Sequence, residues 1–236
     1  MTKNIDQSSF GAGSAAVLPA EQVKTRLGAI LKPAVPRSKR AFDLLVAVSG
    51  LLILSPVFVL LAGLILLMDG APVFYAHERV GLGGRRFLCI KFRTMTTRGD
   101  AILAGLLARD PAARREWETN RKLSHDPRVT RLGALLRRTS LDELPQLWNV
   151  VKGDMSIVGP RPVVSDELAH YGVHAVEYLS VLPGVTGAWQ VAGRSNTTYA
   201  ERVALDVAYV HNQSLRGDIG IVLQTCRVVL SRDGAR

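Results

Sequence analysis

Cysteine is scarce in this chain, and acidic residues are outnumbered. Its 2 cysteines among 236 residues, Cys89 and Cys226, lie far apart and in no C-x-x-C spacing. That excludes a disulfide scaffold and a cysteine-rich zinc site. No internal repeat is present. Gly81, Gly83 and Gly84 do not spell G-x-G-x-x-G and no helical pattern follows them, so a dinucleotide-binding turn is unsupported. Only 20 Asp and Glu face 30 Lys and Arg, a net charge of +10 that implies an anionic partner. Nucleic acid, phospholipid headgroups and a phosphorylated substrate all satisfy that charge. A hydrophobic fraction of 47% argues against a wholly disordered chain, and the length allows one domain with appendages or two small ones.

What is abundant is apolar sequence in one place. Leu44 to Met68 reads LLVAVSGLLILSPVFVLLAGLILLM, 25 residues without a charge, bounded by Asp43 and Asp69. As a helix it would measure about 37 Å, against roughly 30 Å of bilayer hydrocarbon. A buried helix of a soluble core is rarely apolar all round for this length. A cleaved signal peptide does not fit a run that starts after some forty residues. Ser55-Pro56 stands at its midpoint, where proline removes a backbone donor and bends or breaks a helix. Seven Lys/Arg precede the run (3, 24, 26, 32, 37, 39, 40) and six follow it within 69–98. Basic residues mark cytoplasmic ends, so a hairpin that enters and leaves on one side satisfies both flanks better than a straight span.

Residues 1–36 carry QSSFGAGSAAVLPA and KPAVP and read as a flexible arm with a short helix over 20–31. Residues 73–95 read as two strands around a glycine turn. Residues 99–123 read as a helix pair broken near Asp110-Pro111, and 163–182 and 199–231 as helices, with PGVTGAWQVAGRSN between them. The expected fold class is α+β, mainly helical: a re-entrant membrane helix–break–helix plus a small globular domain with a β-hairpin.

Chemistry concentrates in residues 126–162, DPRVTRLGALLRRTSLDELPQLWNVVKGDMSIVGPRP. Asp142 and Glu143 are adjacent acids, preceded by Arg137-Arg138 and followed by Asp154 and Arg161. Ser140-x-x-Glu143 fits a capping box, in which Glu143 merely satisfies backbone N–H groups. A helix starting nearer Asp142 accommodates Pro145 better. Either placement puts both acids at a helix N-terminus, which also favours phosphate, and the arginines are expected to keep both ionised. Consecutive side chains point about 100° apart on a helix, which gives the two acids different tasks. A phosphate-handling site and a structural cap with a solvated face both remain open on spacing alone. Arg161, between Pro160 and Pro162, is a restrained guanidinium suited to bidentate phosphate contact.

Longer motifs narrow the choice. KRAFDLLVA leads into the apolar run with Ser55-Pro56. KFRTM (91–95), the 126–164 block, PGVTGAWQVAGR (183–194) and LDVAYV (205–210) follow in order. Over about 37–232 the chain resembles the bacterial sugar transferases, the monotopic polyprenyl-phosphate phosphoglycosyl transferases, and within them the exopolysaccharide-production and undecaprenyl-phosphate galactose phosphotransferase subgroup. The resemblance implies a membrane hairpin over 37–70 with Ser55 and Pro56 at its break, and a cytoplasmic catalytic domain over 71–236 at the bacterial inner membrane. It implies Asp142 as nucleophile toward a UDP-sugar such as UDP-galactose or UDP-glucose, with UMP released. Polyprenyl (undecaprenyl) phosphate then accepts the sugar phosphate, in the initiating step of exopolysaccharide assembly. It implies Glu143 as the acid associated with Mg2+, and Lys91, Arg93, Asp154, Arg161 and Asp206 as polar site residues, with Arg137 and Arg138 beside them. The implied partners are UDP-sugar, undecaprenyl phosphate and inner-membrane lipids, without nucleic acid; self-association is left open.

Other signals are discounted or undecided. His170 and His174 have i, i+4 spacing but no third ligand, and read as helix surface. Trp117, Trp148 and Trp189 fit interfacial anchors or core alike, and 219–230 fits a membrane surface or a core lid. Two other classes remain. A membrane-tethered nucleic-acid binder would show salt-sensitive DNA retention and no UMP release. A non-catalytic scaffold would keep polymer production in an Asp142→Ala strain.

Overall fold

The computed structural model describes residues 35–120, 123–192 and 197–231. The expected N-terminal arm and its short helix therefore lie almost wholly outside the described residues.

Helix α1 (Arg37–Ile53) and helix α2 (Ser55–Met68) form the apolar hairpin and meet at a bend of 60°. Pro56 sits in the first turn of α2, where its missing donor costs nothing. Ser55 Oγ donates to the Leu52 carbonyl at 2.8 Å, taking up an acceptor at the break. Among the described residues no single helix is long and apolar enough to cross a membrane; the bent pair together is. Leu45, Leu52, Ile53, Val59, Leu60, Leu67 and Met68 are all exposed, and large exposed apolar patches mark interaction or membrane surfaces.

The two ends of the hairpin are tied to the rest of the molecule. Asp43 is fully buried in α1, pairs with Lys39, and accepts from Ser156 Oγ and Ile157 N at 3.0 Å each. Lys39 also reaches Asp218 at 2.8 Å and donates to the Val158 carbonyl. At the other end, Arg93 donates to the carbonyls of Asp69, Gly70 and Ala71, and Thr130 Oγ1 donates to Asp69 Oδ2.

Strands β1 (Phe74–Val80) and β2 (Arg86–Phe92) pair antiparallel from Phe74 opposite Phe92 to Val80 opposite Arg86. Gly83 and Gly84 take left-handed φ between them, as the expected glycine turn requires. Phe92 stacks on Phe74 and tilts against Phe58 of α2, which packs the strand pair on the apolar hairpin. Helices α3 (Gly99–Arg109) and α4 (Pro111–Asn120) follow, with the expected break: Asp110 Oδ1 accepts from Ala112 N and Ala113 N and caps α4. Helix α5 (Arg131–Thr139) is capped by Thr130, whose Oγ1 accepts from Gly133 N.

Helix α6 (Gln146–Lys152) leads to strand β3 (Ser156–Val158), which pairs parallel with β4 (Gly184–Thr186). The expected single helix over 163–182 is instead α7 (Ser165–Leu168), a 3-10 segment Ala169–His174, and α8 (Ala175–Leu179). Gly172 takes φ 53° and interrupts the repeat, while Tyr171, Tyr178 and Leu179 turn into a core with Val80 and Val203. His170 and His174 therefore share no helical face: His170 tilts against Tyr199, and His174 faces Glu177. The stretch between the expected helices holds β4 and α9 (Ala188–Ala192). The expected 199–231 helix is two, α10 (Tyr199–His211) and α11 (Leu215–Ser231). Asn212, Gln213 and Ser214 end the first, and Ser214 Oγ accepts from Gly217 N to start the second. Ile221 and Val222 of α11 pack on the core while Ile219 and Leu223 are exposed, so this helix closes the core and presents an apolar outer face. The described fold is mainly helical, with two small two-stranded sheets.

Candidate active site

The Asp142-Glu143 dyad does not start a helix. It occupies a 3-10 turn, Leu141–Glu143, between α5 and α6, and α6 begins only after Pro145. The turn is entered through Ser140, a non-glycine residue at φ 57°, which also closes α5. Ser140 makes no side-chain cap bond, and Glu143 points away from it. The capping-box reading is thereby overturned: Lys91 Nζ of β2 donates to Glu143 Oε1 at 2.6 Å.

β2 is held in register for this contact by a residue that the sequence reading passed over. Asn149 of α6 is fully buried; it accepts from Ile90 N at 3.0 Å and donates to the Leu88 carbonyl at 2.7 Å. Its amide serves the outer edge of β2 as a third strand would. Asp154, at 3.1 Å from Lys152 and 3.5 Å from Asn149 Nδ2, supports that amide rather than lining the site.

Glu143, Lys91 and Arg161 line a small cavity that opens to solvent, together with Arg79, Cys89, Gln146, Pro162, Val185 and Gln190. Arg79 is a further cation that sequence reasoning missed; it donates to the Pro162 carbonyl and pairs with Glu167. Its position one strand repeat from His77, on a strand that pairs with the KFRTM strand, was the available signal. Arg161 reaches this wall because two backbones cross beneath it. Gly184 N donates to the Pro160 carbonyl, Gly159 N to the Thr186 carbonyl, and Gly159 lies against Gly184 and Gly187 with no room for a Cβ. The guanidinium stands 6.0 Å from the Trp189 ring, and Arg202 stands 4.6 Å from the same ring. No carboxylate pairs with Arg161 among the described residues.

The two acids are pushed in opposite directions. Lys91 and then Arg161 hold Glu143 below the usual carboxylate range despite its burial. Burial pushes Asp142 up to about 6; Lys91 and Arg137 oppose the rise, and the Glu143 charge adds to it. Both acids are thus ionised at neutral pH, as expected, but Asp142 titrates much nearer neutrality because its burial outweighs its cations. Asp142 is buried beside the cavity and does not line it.

The other expected site residues separate. Arg137 Nε donates to Thr94 Oγ1 and faces Asp142 electrostatically, while Arg138 is exposed. Arg93 clasps the end of the apolar hairpin. Asp206 of α10 is buried and accepts from the Tyr171 hydroxyl at 2.7 Å, away from the cavity wall. Ser55 and Pro56 lie at the hairpin bend. Among the described residues no group of three or more His, Cys, Asp or Glu side chains is placed to hold a metal. Of the dyad only Glu143 faces the cavity, one carboxylate of the one or two that magnesium takes beside water and phosphate oxygens.

Residues 35–232 match the family model described as bacterial sugar transferase. The exopolysaccharide production protein ExoY of Sinorhizobium fredii is 52% identical over 86% of this chain and 90% of its own length. The undecaprenyl-phosphate galactose phosphotransferase of Salmonella typhimurium is 51% identical over 84% of this chain and 41% of its own. A UDP-glucose:undecaprenyl-phosphate glucose-1-phosphate transferase of Caulobacter vibrioides is 37% identical over 88% and 75%. With that coverage and these motifs in order around the dyad, the chain belongs to the bacterial sugar transferase family.

Proposed function

We propose that this enzyme transfers a sugar-1-phosphate from a UDP-sugar to undecaprenyl phosphate and so initiates exopolysaccharide assembly. The observation that carries the reading is the opposed pair of acids beside a wall where Lys91, Arg79 and Arg161 converge, Arg161 without a carboxylate partner among the described residues. Environments that push two neighbouring carboxylates apart assign them different roles. Asp142 is the more basic of the two and is still mostly ionised at neutral pH, which suits a nucleophile. Glu143 is fully ionised and engaged by Lys91, which suits a charge-organising acid.

An Asp142 oxygen attacks the sugar-bearing phosphorus, and the bond from that phosphorus to the bridging oxygen breaks. UMP leaves with the bond's electrons, and the sugar phosphate stays on Asp142 as an acyl phosphate. A phosphate oxygen of undecaprenyl phosphate attacks the same phosphorus, which frees Asp142 and forms the lipid diphosphate sugar. An anion approaches an anion in both steps, so Lys91, Arg79 and Arg161 stabilise the charge that gathers on the transferring group. Glu143 would hold Mg2+ together with substrate phosphate oxygens; when bound, the ion supplies further neutralisation of the diphosphate. The lipid acceptor is met at headgroup depth by an anchor that dips into one leaflet from the cytoplasmic face, as the bend at Ser55-Pro56 and the exposed apolar hairpin support.

The test is UMP release from a panel of UDP-sugars, with and without undecaprenyl phosphate, using sugar-phosphate radiolabel. Without acceptor, wild-type protein should retain label through denaturation, with the adduct on the peptide containing Asp142. Asp142→Asn should retain none and lose orders of magnitude in turnover. Glu143→Gln should be severe but partly restored by raised Mg2+. Label on Glu143 would exchange the two roles, and turnover by the Asn variant would place the nucleophile elsewhere.

A further inference from the structure

The cavity is small and open to solvent, far below the roughly 300–1,000 Å³ that enclose a whole ligand. Its cationic wall can therefore meet the phosphates of a nucleotide sugar at its mouth, with the rest of the donor outside. What borders it on the open side is β1. Tyr75 pairs with Lys91, His77 with Cys89 and Arg79 with Phe87, and directly opposed residues share a face. Arg79, Cys89 and Lys91 line the cavity, so Tyr75 and His77 continue the same face beyond it. Phe74 faces the other way and stacks on Phe92, toward the membrane hairpin.

Tyr75 and His77 are exposed, and their rings lie 6.1 Å apart at 25°, a flat pair along the strand. Among the described residues both side chains stay largely exposed on an edge strand, yet the strand is tied down beneath them. Val80 N donates to the Val163 carbonyl, Tyr178 donates to the Val80 carbonyl, and Arg93 N donates to the Val73 carbonyl. A pre-set planar surface one residue from a diphosphate-binding wall is a nucleobase platform, because bases stack on aromatic rings whatever their hydrogen-bond pattern.

We infer that Tyr75 and His77 stack the uracil ring of the UDP-sugar while Arg79 and Lys91 take its diphosphate. Partial covering of the His77 ring and then the charge of Arg79 hold its imidazole below the usual histidine range, so the ring is neutral at physiological pH and stacks without adding charge. The inference rests on the proposed reaction and assigns its donor's base a place.

The experiment uses the full chain in nanodiscs and compares inhibition by UMP with inhibition by inorganic pyrophosphate, alongside KM for UDP-sugar and for undecaprenyl phosphate. Tyr75→Ala and His77→Ala should each raise the UMP inhibition constant and the donor KM about tenfold. Pyrophosphate inhibition, kcat and acceptor KM should stay unchanged, and Tyr75→Phe should behave as wild type. Both residues are exposed, so the variants should keep the wild-type melting temperature. Unchanged UMP affinity in the double Ala variant would overturn the platform. A rise confined to acceptor KM would also overturn it, by making Tyr75 a lipid contact. A wild-type protein indifferent to UMP would instead sink the reaction itself, a result distinguishable from both.

Discussion

Asp142 is an aspartate kept at a cost. Its conjugate acid is raised from 3.8 to about 6, chiefly by burial. Between those values the folded protein binds a proton that the unfolded chain releases, so stability falls as pH rises through this window and the penalty is complete above it. The difference corresponds to roughly 3 kcal/mol as an upper figure. Asp142→Asn carries no such penalty, so the variant should melt several degrees above wild type at pH 7.5 and at the same temperature near pH 4. Scanning calorimetry at the two pH values checks this, and equal melting temperatures at pH 7.5 would mean that the carboxylate is solvated. Turnover has the opposite dependence: the nucleophile must be ionised, so kcat should climb as pH passes about 6 and then level off. Stability and activity thus pull against each other at one atom pair, which is common where a reactive group is held in a dry site.

At the scale of elements, the site depends on one glycine-rich crossing that carries no chemistry. Gly159, Gly184 and Gly187 let the segments around β3 and β4 approach backbone to backbone, and Arg161 projects from the end of that crossing. Gly184→Ala places a methyl group into the Gly159 backbone. It should cost about 1–3 kcal/mol or more in urea unfolding and raise donor KM, because Pro160 and Arg161 shift with the strand. A variant of unchanged stability and KM would show that the crossing yields freely. The glycines in GPRP and PGVTG were readable as motif members, but their packing partners are some 25 residues away in sequence, and local pattern carries no such information. Local elements were more legible. The strand pair around Gly83-Gly84 and the break at Asp110-Pro111 follow from turn and cap chemistry within a few residues. The dyad's environment was not: Lys91 comes from 52 residues upstream, and the burial that raises Asp142 comes from tertiary packing. The long helices read over 163–182 and 199–231 failed where Gly172 and Ser214 favoured local interruptions over apolar periodicity.

At the scale of the whole molecule, the apolar hairpin proposed to enter the membrane is tethered twice to one body. Its first turns are held by Lys39 between Asp43 and Asp218 and by Arg40, which donates to the carbonyls of Val150 and Val151. Its exit is held by Arg93 and Thr130. A straight helix over 44–68 would separate these tethers by about 37 Å across the bilayer, and the single body that holds both would have to lie on two sides at once. Breaking Lys39 from its two buried carboxylates costs about 3–5 kcal/mol, so the first tether alone opposes straightening. Both termini should therefore lie on one side of the bilayer, which the proposed function makes the cytoplasmic side. With Cys226 replaced by serine, single cysteines at Ala15 and at Ala235 should resist a membrane-impermeant maleimide in intact spheroplasts and react after lysis. Periplasmic labelling at one end alone would mean a span and would sever one tether. Pro56→Leu favours a continuous helix by restoring a backbone donor, and combined with Lys39→Met it should move a fraction of molecules to one-ended labelling, with UMP release lost in the same proportion. Pro56→Leu alone should change labelling less than the pair does, because the tethers, and not the proline by itself, set which side the chain returns to.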